Sequence, residues 1–110
     1  RYNNADFWNA VGPSGLKLLA EAMNKAGSTD PLPVAKAMEG LTVETMNGPL
    51  TLRAEDHQAQ QNFYMASWQK MDGDKVKYDQ EKTGHGWRLE RTFKPEELTL
   101  PSTCQMKRPS

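Results

Sequence analysis

The sequence lacks most of the features that identify a function at sight. Its 110 residues include one cysteine, Cys104, which excludes an intrachain disulfide framework and a cysteine-based zinc ribbon. A lone thiol fits a reducing cytosol, and fits an oxidising compartment equally well when its partner cysteine lies outside these residues. No apolar run approaches the roughly 20 residues that cross a bilayer, and the mean hydropathy is −0.82. Neither sign of charge dominates: 14 basic side chains balance 14 acidic ones, so no basic face points to a nucleic-acid partner. The glycine-rich dinucleotide and phosphate loops, the zinc-protease HExxH and the hydrolase GxSxG are absent, so neither an enzyme nor a cofactor is expected. With 36% hydrophobic residues, a chain of this length makes one small domain at most, with a thin core. Position 1 is Arg, not Met, and no charged-then-apolar leader follows; a signal is expected upstream of these residues.

What is present begins with helical periodicity. Phe7, Trp8, Val11, Leu18, Leu19, Ala22 and Ala26 recur at three- and four-residue steps, the spacing of a helix buried on one face. Pro13 interrupts the pattern, which predicts a short first helix and a longer one from about Pro13, closed by Gly27 in a left-handed conformation. Asp30 is placed as an N-cap with Pro31 at the first helical position, predicting a further helix through Val34, Ala35, Ala37 and Met38 that stops at Gly40. Beyond Gly40 the pattern turns to short apolar runs: Leu41 and Val43, Leu50 and Leu52, Phe63 to Trp68, Val76 and Tyr78. These read as strands. Asp72-Gly73 is a two-residue hairpin signal, so residues 63–71 are expected to pair with 75–80. The organisation is thus helical over 1–40, strands over 41–80 and an irregular tail over 81–110. Within that tail Gly84-His85-Gly86 reads as a loop, Trp87-Arg88-Leu89 is ambiguous and Pro95-Glu96-Glu97-Leu98 suits one helical turn.

Three constellations bear on chemistry. Asp56-His57 has the composition of a carboxylate-oriented imidazole, but adjacent strand residues point to opposite faces, so a structural or turn-capping role is expected. His57, His85 and Cys104 are the only other combination with metal-ligand chemistry, and nothing in their spacing favours a site; no metal is expected. Trp8, Trp68, Trp87, Tyr64 and Tyr78 form either an aromatic platform for a flat ligand or core and interface anchors, with the latter the more common use. Met23, Met38, Met46, Met65 and Met71 suit gap filling. Lys107-Arg108 is too short for a nucleic-acid patch.

Four segments in order resemble the type I periplasmic binding proteins of ABC importers, in the branched-chain amino-acid-binding subfamily. They are Leu18 to Asp30 with its Ala26-Gly27-Ser28-Thr29-Asp30 end, Val34-Ala35-Lys36-Ala37-Met38-Glu39-Gly40, Met46 to Gln58 with Gly48-Pro49-Leu50-Thr51 at its strand entry, and Phe63-Tyr64-Met65-Ala66-Ser67-Trp68. The tail, with Leu100-Pro101 and Thr103-Cys104, is similar to the ends of some members. The resemblance implies an α/β fold, α+β when this piece stands alone: two helices, then a small, mainly antiparallel set of strands, part of one lobe of a two-lobed protein. It implies a small amino-acid-like ligand, a membrane permease as partner and a periplasmic or extracellular location, with most ligand-gripping residues upstream. The family's cleft-facing aromatic has no counterpart at Gly12 and Pro13, which leaves Trp8 as the candidate ligand contact. Cys104 is expected to bond to a cysteine in the absent part. A piece cut from a lobe exposes apolar faces and strand edges, so a homo-oligomer is expected. The rival reading is a free-standing small α+β protein-interaction domain.

Overall fold

A computed structural model describes residues 11–108. Helix α1, Val11–Ala26, carries Pro13 within its first turn, where a proline removes no intrahelical hydrogen bond. Its buried stripe is Ser14, Leu18 and Ala22, one residue per turn. Leu19, expected on that stripe, is more than a third exposed, and Leu16 more so. Gly27 follows at φ +61°, as the end of the helix requires. Helix α2, Pro31–Met38, has Asp30 at its N-cap, yet the Asp30 side chain makes no capping bond. Instead the Asp30 N–H donates to Ser28 Oγ at 3.0 Å. The helices are cross-tied where Lys25 Nζ, in the last turn of α1, donates to the Ala37 carbonyl at 3.1 Å.

Strands β1, Thr42–Thr45, and β2, Gly48–Leu52, pair antiparallel with Val43 opposite Leu50. β3, Ala59–Gln60, adds a short third strand to β2. The inward residues Val43, Leu50 and Leu52 meet Leu18 of α1, with Met38 and Leu41 packed at the margin. This is the apolar core of the first unit.

The second unit departs from the sequence expectation. β4, Phe63–Lys70, pairs with β5, His85–Phe93, rather than with residues 75–80. Residues 81–110, expected to be irregular, therefore hold a nine-residue strand. The cause is local. Asp72 Oδ1 accepts the backbone N–H groups of Asp74, Lys75 and Val76 at 2.8–2.9 Å, which curls the chain out of strand geometry directly after β4. Val76 is fully buried, Glu81 and Lys82 adopt positive φ, and the Gln80 N–H closes the loop on the His85 carbonyl at 2.8 Å. A bulge between Met65 and Ala66 shifts the register. Helix α3, Pro95–Leu98, is the single expected turn, capped where Glu97 Oε2 accepts the Lys94 N–H at 2.8 Å. Residues 99–108 form no helix or strand.

Candidate functional site

Trp8, the candidate ligand contact, lies outside the described residues. The other singled-out residues fall into two separate places.

Asp56 and His57 sit in the turn between β2 and β3. The Arg53 guanidinium grips Asp56 in a two-pronged pair, with Nε to Oδ1 at 2.8 Å and Nη2 to Oδ2. Asp56 Oδ1 also accepts the Gln58 N–H at 3.1 Å. The Arg53 guanidinium holds the Asp56 carboxyl well below the usual carboxylate range, with the Gln58 N–H contributing in the same direction. His57 takes positive φ, +58°, and its N–H donates to the Arg53 carbonyl at 2.9 Å. Its ring does not face Asp56: Nε2 lies 3.1 Å from Glu39 Oε1 at the end of α2. The pair therefore shapes a turn, with neither residue poised as a general base. Glu39 also accepts from Arg108 Nε at 2.7 Å, and Arg108 followed by His57 draws its pKa down.

His85 and the tryptophans meet on the hairpin. Trp68 and Trp87 are register partners with ring centroids 5.0 Å apart at 67°, an edge-to-face contact. The His85 ring stacks on Trp68 at 6.1 Å and 12°. Ala66 and Leu89 continue this face by alternation. Each indole keeps nearly half its surface exposed. The opposite face carries the Phe63 and Phe93 pair, centroids 6.5 Å apart, with the Arg91 guanidinium 4.3 Å over the Phe93 ring. Tyr64 points its hydroxyl away to the Asn47 carbonyl at 2.9 Å, and Tyr78 is exposed on the loop. The aromatic residues are thus divided among two faces and a loop.

His57, His85 and Cys104 do not converge. His57 has Glu39, His85 has Trp68 and the Thr83 carbonyl at 3.1 Å, and Cys104 is exposed on the tail. Among the described residues, no group of three or more His, Cys, Asp or Glu side chains is placed to hold a metal ion, and no helix is long and apolar enough to cross a membrane. The hollow between Gln58, Gln60, Phe63, Pro95 and Leu98 is about 190 Å³; wider and shallower hollows of about 410 Å³ and 590 Å³ lie beside Lys17 and Glu44 and beside Met23 and Asp30. Sequence reasoning passed over Glu39, Arg53 and Arg108, which tie distant parts of the chain together. Their partners lie up to 69 positions away, and no local spacing signals such contacts.

A family model described as "Periplasmic binding protein" matches residues 2–75. Comparison with curated proteins gave no match. Among solved structures, the closed conformation of the leucine-, isoleucine-, valine-, threonine- and alanine-binding protein from Brucella ovis is similar with a TM-score of 0.73 and 29% identity, over 87% of this chain and 25% of its own. An ABC-type branched-chain amino acid transporter from Rhodopseudomonas palustris is similar with a TM-score of 0.58 and 31% identity, over 76% of this chain and 20% of its own. The chain thus spans a quarter or less of the length of these structures.

Proposed function

Because the chain belongs to the periplasmic binding protein family, we propose that it forms part of one lobe of a solute-binding protein that captures an amino acid or related compound for an ABC importer. The observation that carries this reading is the agreement of the family match through residue 75 with the Brucella ovis likeness at a TM-score of 0.73. In such a protein two lobes close on a small ligand, and higher affinity for the closed form drives closure. The work is binding and release rather than catalysis. It takes place in the periplasm or outside the cell, with a membrane permease receiving the ligand.

The described residues support a lobe segment better than a complete site. Trp68, Trp87 and Leu89 stay about half exposed on the hairpin. Trp8 is the residue of this chain we place nearest the ligand. The test is a thermal-shift assay on a protein that joins this segment to the rest of both lobes, with leucine, isoleucine, valine, threonine and alanine as separate probes. At least one probe should raise the melting temperature by several degrees, since saturation at about 100 times Kd stabilises by about 2.7 kcal/mol. Trp8→Ala should weaken that probe by about 2- to 13-fold, the value of one aromatic contact of about 0.5–1.5 kcal/mol. A cooperatively folded two-lobed protein that responds to no amino acid overturns the reading. The open tryptophan face also suits a free-standing interaction domain, which requires the isolated chain to unfold cooperatively as a monomer.

A further inference from the structure

The family match ends at residue 75, and residues 99–108 beyond it make an unusual set of contacts. The chain crosses once from the first unit to the hairpin, between β3 and β4. There the Asn47 carbonyl, in the β1–β2 turn, accepts from Asn62 Nδ2 at 3.2 Å and from Tyr64 Oη at 2.9 Å. After α3 the chain returns to the first unit without helix or strand. Gln60 Nε2 donates to Thr99 Oγ1 at 2.9 Å, and Arg53 Nη1 donates to the Leu100 carbonyl at 2.7 Å. Arg108 donates through Nε to Glu39 at 2.7 Å and through Nη2 to the Ala54 carbonyl. Each of these partners lies at the end of α2 or on the segment from Arg53 to Gln60.

A segment with neither helix nor ladder is mobile unless something ties it down. Here the ties are side-chain hydrogen bonds and an ion pair spread along ten residues, with no buried apolar residue among residues 99–108. We propose that residues 99–108 are a latch, closed through Arg108 on Glu39 and through Arg53 on Leu100, that holds the β4–β5 hairpin against the first unit and limits how far the two units part about the Asn47 joint. Contacts of this exposed, charged kind are individually weak and screened by salt. The latch is therefore built to release at low cost, in contrast to the Leu18, Val43, Leu50 and Leu52 core.

The proposal stands apart from the solute-binding reading, since its test uses the 110-residue chain without ligand. Nitroxide labels go on the native Cys104, which is exposed on the latch, and on Lys36→Cys, an exposed position on α2. Pulsed dipolar spectroscopy, on labelled chain diluted in excess unlabelled chain so that only distances within one chain register, should give one narrow distance distribution in the parent. Arg108→Gln and Glu39→Gln should each add a longer-distance component, the detached fraction rising about 1.4- to 5-fold as expected for one exposed ion pair. The double variant should add less than the sum of the single ones, because both remove the shared Arg108–Glu39 contact, and added salt should lengthen the distances in the parent. Lys107→Gln should leave the distribution unchanged. Should Glu39→Gln disturb α2, seen as lost helical circular dichroism, Arg108→Gln decides alone, since it lies outside any helix or strand. A parent distribution that is already broad, or one that Arg108→Gln leaves narrow and unshifted, overturns the latch.

Discussion

At the residue scale the hairpin turns on Gly86. A Cβ there would run into the Tyr78 carbonyl and approach Val76 Cγ1 at 3.0 Å, so the loop between β4 and β5 closes only over a glycine. Gly86→Ala should destabilise the chain by about 1–3 kcal/mol, the usual cost of overpacking, measured by urea titration. Sequence reading placed Gly84-His85-Gly86 in a loop because two glycines suggest one. The actual demand is the approach of a backbone eight positions away, which leaves no local trace. Acid is the second residue-scale lever. Asp56 and Asp72 are held below their ordinary value of 3.8, and Glu39 and Glu97 below 4.5. The causes are the Arg53 pair for Asp56, the Val76 and Asp74 N–H groups for Asp72, Arg108 for Glu39 and the Lys94 N–H for Glu97. A carboxyl whose folded value lies below its unfolded value adds stability above the unfolded value, and this is lost as pH falls through the folded one. Thermal melts should therefore be flat above about pH 5 and fall steadily below about pH 4. Asp72→Asn should make that fall shallower.

At the scale of elements, the two helices and the first two strands follow from the sequence because their signals are local. Pro31 after Asp30 starts α2, Gly27 and Gly40 take the positive φ that ends each helix, and the Leu50 and Leu52 alternation faces the core. Within α1, Leu18→Ala should cost about 2–5 kcal/mol, whereas Leu16→Ala, at a position 70% exposed, should stay within about 0.5 kcal/mol. Chemical denaturation of the two variants distinguishes the helix face. The hairpin was misread because Asp72-Gly73 is a real turn signal, yet Asp72 spends its carboxylate on three consecutive N–H groups. That closes a local loop instead of a two-residue turn. The partner strand then begins at His85, and its register depends on a bulge that sequence alternation does not report.

At the scale of the whole molecule, the radius of gyration is 17.4 Å and the extents are 55 × 34 × 17 Å, against roughly 13 Å for a compact domain of this length. Trp68, Trp87, Leu89, Met65 and Phe63 remain exposed on the hairpin, and among the described residues the two-stranded sheet has no third strand on either edge. The isolated chain is therefore expected to self-associate at micromolar concentration. Light scattering coupled to size exclusion should show dimers or larger species, and a monodisperse monomer would contradict the expectation. By itself the sequence determined the helices, the strands β1 and β2 and the family likeness, because caps, turn glycines and apolar spacing act within a few residues. Tertiary structure alone decided which strand pairs with β4, that the His57 ring faces Glu39 rather than Asp56, and that Glu39, Arg53 and Arg108 fasten the tail. Those outcomes depend on groups brought together from up to 69 positions apart, and a contact across such a distance exists only once the intervening chain has folded.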